Sequence, residues 1–68
     1  MKKNKLYRYN FLICAQYRDQ PAQECQQSIT TRDGRFKAMS ALREAIMESD
    51  PKPDYLVVEY LNCMLVER

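Results

Sequence analysis

The stretch Tyr55-Leu56-Val57-Val58-Glu59-Tyr60-Leu61-Asn62-Cys63-Met64-Leu65-Val66 decides how this chain folds. Side chains alternate along a strand. Read that way, Leu56, Val58, Tyr60, Met64 and Val66 share one face, and Tyr55, Val57, Leu61, Cys63 and Leu65 share the other. A strand in a small antiparallel sheet needs only one buried face. This one is apolar on both, and a 68-residue chain has a single helix to offer as cover. The second face therefore calls for a partner protein or a second copy of the chain. A bulge at Asn62, splitting the strand, is the alternative.

Leu6–Tyr17 is the natural neighbour of that strand. Its odd positions, Tyr7, Tyr9, Phe11, Ile13, Ala15 and Tyr17, are all apolar or aromatic, while Leu6, Arg8, Asn10, Leu12, Cys14 and Gln16 are mixed. Such period-two alternation predicts a half-buried strand. Arg18-Asp19-Gln20-Pro21 is turn chemistry. Ala22–Thr31 follows as a second, weaker strand, with Cys25 and Ile29 on one face and Glu24, Gln26, Ser28 and Thr30 on the other. A polar strand of this kind suits a sheet edge.

Asp33 is the expected N-cap of a helix running to about Ser49. Phe36, Met39, Leu42 and Ile46 form its apolar stripe, widened by Ala38, Ala45 and Met47, while Lys37, Ser40, Glu44 and Glu48 face away. Pro51 disfavours a helical Asp50 and ends the helix, and Pro51-Lys52-Pro53-Asp54 leads into the last strand. The predicted fold is α+β, one domain over residues 1–68 in the order β-β-α-β, with residues 1–5 a frayed basic end. The three-stranded, mostly antiparallel sheet has strand order 2-1-3. The last strand runs antiparallel to the first, and the helix lies on the face holding Tyr9, Phe11, Ile13, Cys25 and Ile29.

Composition narrows the function classes. The chain has three cysteines, Cys14, Cys25 and Cys63, no Cys-x-x-Cys pair and no histidine, so neither a paired disulfide framework nor a zinc pattern is expected. No cofactor or metal is implied. The N-terminus lacks the uninterrupted apolar run of a signal peptide, and no segment is long and apolar enough to span a membrane. A reduced, cytoplasmic protein is the expectation. A chain this short buries only about 60% of its unfolded surface, and such marginal cores are often supplemented by oligomerisation.

Catalysis is not expected. The commonest general base is missing with histidine, and the single glycine, Gly34, rules out a phosphate-cradling loop. Glu44 and Glu48, one turn apart, read as a solvated helix face, and Cys14 reads as an unreactive thiol unless an electropositive setting activates it. Net charge is +2, with Lys2, Lys3, Lys5 and Arg8 gathered at the N-terminus. Single-stranded nucleic-acid binding is the alternative function. It would use Lys2, Lys3 and Lys5 with Arg32, Arg35 and Lys37 at the helix start, and aromatics such as Tyr7, Tyr9 and Phe11 as stacking surfaces. Those aromatics, however, lie on the face the helix should cover. The helix is also charged against its macrodipole, basic at its start and acidic at Glu44, Glu48 and Asp50.

The leading expectation is a non-catalytic binding or regulatory protein acting through the sheet face left uncovered. Arg8 and Leu12 from the first strand, with Tyr55 and Glu59 from the last, are the candidate contact residues; a homodimer through the same face is the structural version of the idea. The hairpin, the strand ending Ile29-Thr30-Thr31, the alanine-rich helix Ala38–Ile46 and the valine-rich last strand together resemble the small strand-strand-helix-strand proteins that bacteriophages and prophages encode to inhibit host enzymes or defence systems. That resemblance is one of layout, with no shared motif. It implies a binding protein without catalysis.

Overall fold

The sheet is built around the alternating strand. In the computed structural model, which describes residues 4–67, the elements are β1 (Leu6–Gln16), β2 (Gln23–Thr31), α1 (Arg35–Met47) and β3 (Tyr55–Glu67). The sheet order is β2-β1-β3, and β1 is antiparallel to both neighbours. This is the α+β arrangement expected from the patterning. The proposed frayed end falls partly on residues 1–3, which lie outside the described residues.

The odd residues of β1 form the core. Tyr9, Phe11, Ile13 and Ala15 are buried, and Ala38 and Leu42 of α1 and Val58 of β3 close over them. Phe11 is fully buried, with the Tyr60 ring edge-on at 6.2 Å between centroids. Burying a phenylalanine side chain stabilises by about 1.5–3 kcal/mol, which makes Phe11 the largest single contributor here.

The turn between β1 and β2 closes through the Gln20 amide donating to the Tyr17 carbonyl at 3.0 Å, with Asp19 at φ 61°. Asp tolerates the left-handed region better than most residues. The start of β3 is tied to the end of β1 by the Asp54 amide, which donates to the Gln16 carbonyl at 2.9 Å.

The helix departs from expectation at its start. Gly34, not Asp33, occupies the N-cap, and no side chain caps the helix. Asp33 is turned back toward Thr31, whose hydroxyl both donates to the Asp33 carboxylate and accepts from the Asp33 amide. Gly34 sits at φ 95°, ψ 166°, a region essentially reserved for glycine. A Cβ there would meet nothing within 4 Å, so substitution costs backbone strain alone. Gly34→Ala is expected to lower stability by about 1–3 kcal/mol in urea unfolding. An unchanged midpoint would mean that the chain relaxes here without strain.

The apolar stripe is also narrower than expected. Ala38 and Leu42 are buried and Met39 and Ile46 half-buried, but Ala45 and Met47 are exposed and Phe36 is 73% exposed. The helix ends at Met47, short of Ser49; the Glu48 amide donates to the Glu44 carbonyl, and the Ser49 amide and hydroxyl both donate to that of Ile46. Thirteen helical residues span about 20 Å, whereas the eleven of β1 span about 37 Å. One short helix therefore cannot roof the whole sheet. Cys25 of β2, expected under the helix, is exposed.

Candidate protein-binding site on the final strand

The register of β3 against β1 contains the key irregularity. Phe11 pairs with Tyr60 and Asn10 with Asn62, so Leu61 is an extra residue and β3 bulges there; a second irregularity falls between Leu6 and Tyr7, where Val66 is extra. An inserted residue reverses the alternation beyond it. Leu56, Val58 and Tyr60 share the helix-facing side with Cys63 and Leu65, through their partners Ala15, Ile13, Phe11, Tyr9 and Tyr7. Met64 instead joins Tyr55, Val57, Glu59 and Asn62 on the outer face. The face assignment made from strict alternation is corrected accordingly: Cys63 and Leu65 move to the helix-facing side and Met64 leaves it. The bulge raised as the alternative at Asn62 is present one residue earlier, without splitting the strand.

Beyond the bulge the strand is uncovered on both sides. Every residue from Leu61 to Glu67 is exposed, and Leu61 (39%), Met64 (58%), Leu65 (40%) and Val66 (47%) leave large apolar side chains in contact with solvent. β3 is an edge strand, so its outer backbone groups have no sheet neighbour among the described residues. An exposed apolar edge is a template for pairing with another chain.

Arg35 caps this region from the helix. Its guanidinium lies 4.8 Å from the centroid of the Tyr60 ring and 4.9 Å from that of Phe36. Two cation–π contacts at partly exposed sites contribute about 0.5–1 kcal/mol each; they tie Arg35 to Tyr60 of β3 and to Phe36, which stays outside the core. The Cys63 thiol, hydrogen-bonded to Tyr60, is the main reason the Tyr60 hydroxyl is held above the ordinary tyrosine range; the opposing pull of Arg35 is smaller.

The residues singled out on the outer face do lie on it, but dispersed. Leu12 pairs directly with Glu59, Tyr55 with Gln16, and Arg8 with Met64. Between Arg8 and Leu12 runs a polar ladder: Ser28 donates to Asn10 Oδ1 and Asn10 Nδ2 donates to Asn62 Oδ1, both at 2.6 Å. The ladder divides the outer face, so Arg8 and Met64 stand apart from Leu12, Val57 and Tyr55. This face is more polar than its β3 half alone suggested, because Glu24, Gln26, Ser28 and Thr30 of β2 complete it.

The basic residues are partly engaged. Lys2 and Lys3 lie outside the described residues. Lys5 and Arg32 line a shallow pocket of about 290 Å³ with Tyr7, Tyr9 and Asp33. Arg32 donates to the Asn4 carbonyl at 3.0 Å and to Glu67 at 3.2 Å, tying the N-terminal segment to the end of β3. Arg35 is committed to its two rings, and Lys37 is exposed. A second, more apolar groove of about 430 Å³ runs between α1 and β2, bordered by Ile13, Ala15, Cys25, Leu42 and Ile46. The helix contacts β2 but leaves this gap beside Cys25.

Tyr9 is buried and Phe11 fully so. The tyrosine and phenylalanine pattern that could have formed a base-stacking platform is therefore largely core. No group of three or more acidic, cysteine or histidine residues suited to hold a metal ion occurs among the described residues. No described helix is long and apolar enough to cross a membrane. No family model matches the chain, and no curated protein or solved structure matches it either.

Phe36 and Met64 were missed as site residues. Their signal was legible only as a mismatch of lengths: a helix of this size cannot cover both ends of strands this long.

Proposed function

We propose that this chain is a non-catalytic protein-binding module whose contact surface is the uncovered half of β3, Leu61–Val66, with Phe36 and Arg35 beside it. One observation carries the reading: a free edge strand with apolar side chains exposed on both faces and no covering element among the described residues. Isolated apolar side chains are ordinary on a protein surface, whereas a contiguous group marks an interaction site. Edge pairing would supply main-chain hydrogen bonds, and Leu61, Met64, Leu65 and Phe36 would supply side-chain specificity, the mode known as strand addition. This moves the contact region along β3 from Tyr55 and Glu59 toward its far end, with Arg8 and Met64 at its margin. The role we assign is regulatory, an inhibitor or accessory protein of the phage-encoded kind that the layout resembles, working in the cytoplasm.

The test is capture from a bacterial lysate by the wild-type chain, by Leu65→Glu and by Leu12→Glu. A protein retained by wild type and by Leu12→Glu but lost from Leu65→Glu supports the β3 surface. Equal retention by all three refutes it, and loss with Leu12→Glu alone returns the site to the outer face. The pocket formed by Lys5, Arg32, Tyr7 and Tyr9 favours a second reading, single-stranded nucleic-acid binding. Binding of a mixed oligonucleotide that weakens steeply with salt and is lost in Lys5→Glu would establish it, since phosphate contacts release counterions.

A further inference from the structure

The two edges of this sheet differ in kind. β2 presents Gln23, Glu24, Gln26, Gln27, Ser28 and Thr30, all exposed and all polar. β3 contains no lysine, arginine or proline from Tyr55 to Glu67, and its exposed side chains are mainly apolar. Natural edges are usually blunted by such charges or prolines. Neither edge carries lysine, arginine or proline; β2 is instead polar along most of its length, while β3 has Glu59, Glu67 and its bulges.

The charges along the molecule are also sorted. It is 49 Å long and 19 Å across. Lys5, Arg8, Arg32, Arg35 and Lys37 lie toward the end where β1 starts and β2 and β3 finish. Asp19, Glu24, Glu44, Glu48, Asp50 and Asp54 lie toward the other end, with Glu59 on the same half of β3. Asp33 and Glu67 at the first end, and Arg18, Arg43 and Lys52 at the second, do not reverse either sign. Two such molecules placed side by side and antiparallel set each basic end against an acidic one. A parallel arrangement would oppose like charges.

We infer that the occupant of the β3 edge is a second copy of the chain, paired β3 to β3 antiparallel about a two-fold axis perpendicular to the sheet. The product is a continuous six-stranded sheet, β2-β1-β3-β3-β1-β2, with both helices on the same face. This inference rests on the reading of β3 as the binding edge. Residues opposite one another in an antiparallel pair share a face. The bulge at Leu61 then restricts the register, because helix-facing residues before it must meet helix-facing residues after it, and the register centred beside the bulge is the one we assign. Val58 is set against Leu65 of the partner subunit, Tyr60 against Cys63 of the partner subunit, and Glu59 against Met64 of the partner subunit, with the axis passing beside the bulge. Glu59 and Glu67 do not meet their own copies in this register. The pairing is isologous and closes after two chains, whereas β2-to-β3 pairing would leave an open edge and grow without limit. Both outer edges of the dimer are then the polar β2.

Sedimentation equilibrium of the purified chain across a micromolar range tests this. The expected result is a mass of two chains, falling to one chain in Met64→Lys and in Leu65→Lys. Both substitutions are at exposed positions, and an unchanged circular dichroism spectrum would show that each variant still folds. Gln26→Lys, on the β2 edge, should leave the dimer intact. A wild-type chain that stays monomeric throughout overturns the second-copy inference; if the lysate capture still depends on Leu65, the β3 binding reading survives with a different partner. A dimer that persists in both β3 variants, or that breaks with Gln26→Lys, overturns the proposed geometry.

Discussion

Phe11→Ala is expected to remove most of the stability of this domain. Among the described residues Phe11 is the one fully buried large side chain, in a core it shares with Tyr9, Ile13, Ala15, Ala38, Leu42 and Val58. Truncating a buried phenylalanine costs about 3–5 kcal/mol, the sum of lost transfer energy and the cavity left behind. A 68-residue domain at about 0.05–0.15 kcal/mol per residue has a total of roughly 3–10 kcal/mol. The two ranges overlap, so the variant should be largely or wholly unfolded at room temperature. The Tyr60 ring, packed edge-on against Phe11, loses its support at the same time, and with it one of the two rings that hold Arg35. Circular dichroism followed through a urea titration reads the effect. A loss below about 1 kcal/mol would mean that the helix closes over the vacancy, and that the core is less tightly built than the burial of Phe11 implies.

Deletion of Leu61 is expected to be tolerated, whereas deletion of Val58 should abolish folding. Tyr60 and Asn62 already oppose consecutive residues of β1, Phe11 and Asn10, so Leu61 is surplus to the ladder. Removing it leaves every other pair in place and straightens the strand. The cost is limited to the contacts of a partly exposed leucine, about 1–2 kcal/mol at most. Removing Val58 slides Glu59 into the position opposite Ile13, which is 3% exposed. A carboxylate forced into that setting without a partner costs several kcal/mol, comparable to the whole stability of the domain. Urea unfolding of both deletions distinguishes the cases. Similar collapse of the two would show that the bulge is not where the register places it.

Much of the fold was legible in the chain because its two periodicities are clean. The odd residues from Tyr7 to Tyr17 are apolar or aromatic without exception, and only one strand order lets that strand serve both a hairpin partner and a returning strand. The polarity of Glu24, Gln26, Ser28 and Thr30 marked β2 as an edge. The helix start was less legible: Asp33 has the right chemistry for a cap, but Thr31 competes for its carboxylate, and a glycine can take a backbone position that no other residue enters without strain. Phe36 belonged to the apolar stripe by spacing, yet it is exposed, with the neighbouring Arg35 lying over its ring and over that of Tyr60, a residue far along the chain.

Local patterning thus determined the elements, their order and the β1 residues of the core, since alternation and helical spacing are properties of neighbouring residues. The faces of the last strand were decided only in three dimensions. Leu61 reads as one more residue of an apolar run; Asn62 beside it offers a bulge only as an alternative and does not say which residue is surplus. It becomes a bulge because β1 has one residue fewer to pair with it, and that count exists only when the two strands lie side by side. The same is true of the exposed end of β3. It is bare because about 20 Å of helix must cover about 37 Å of sheet, a difference in rise per residue that the apolar pattern alone does not express.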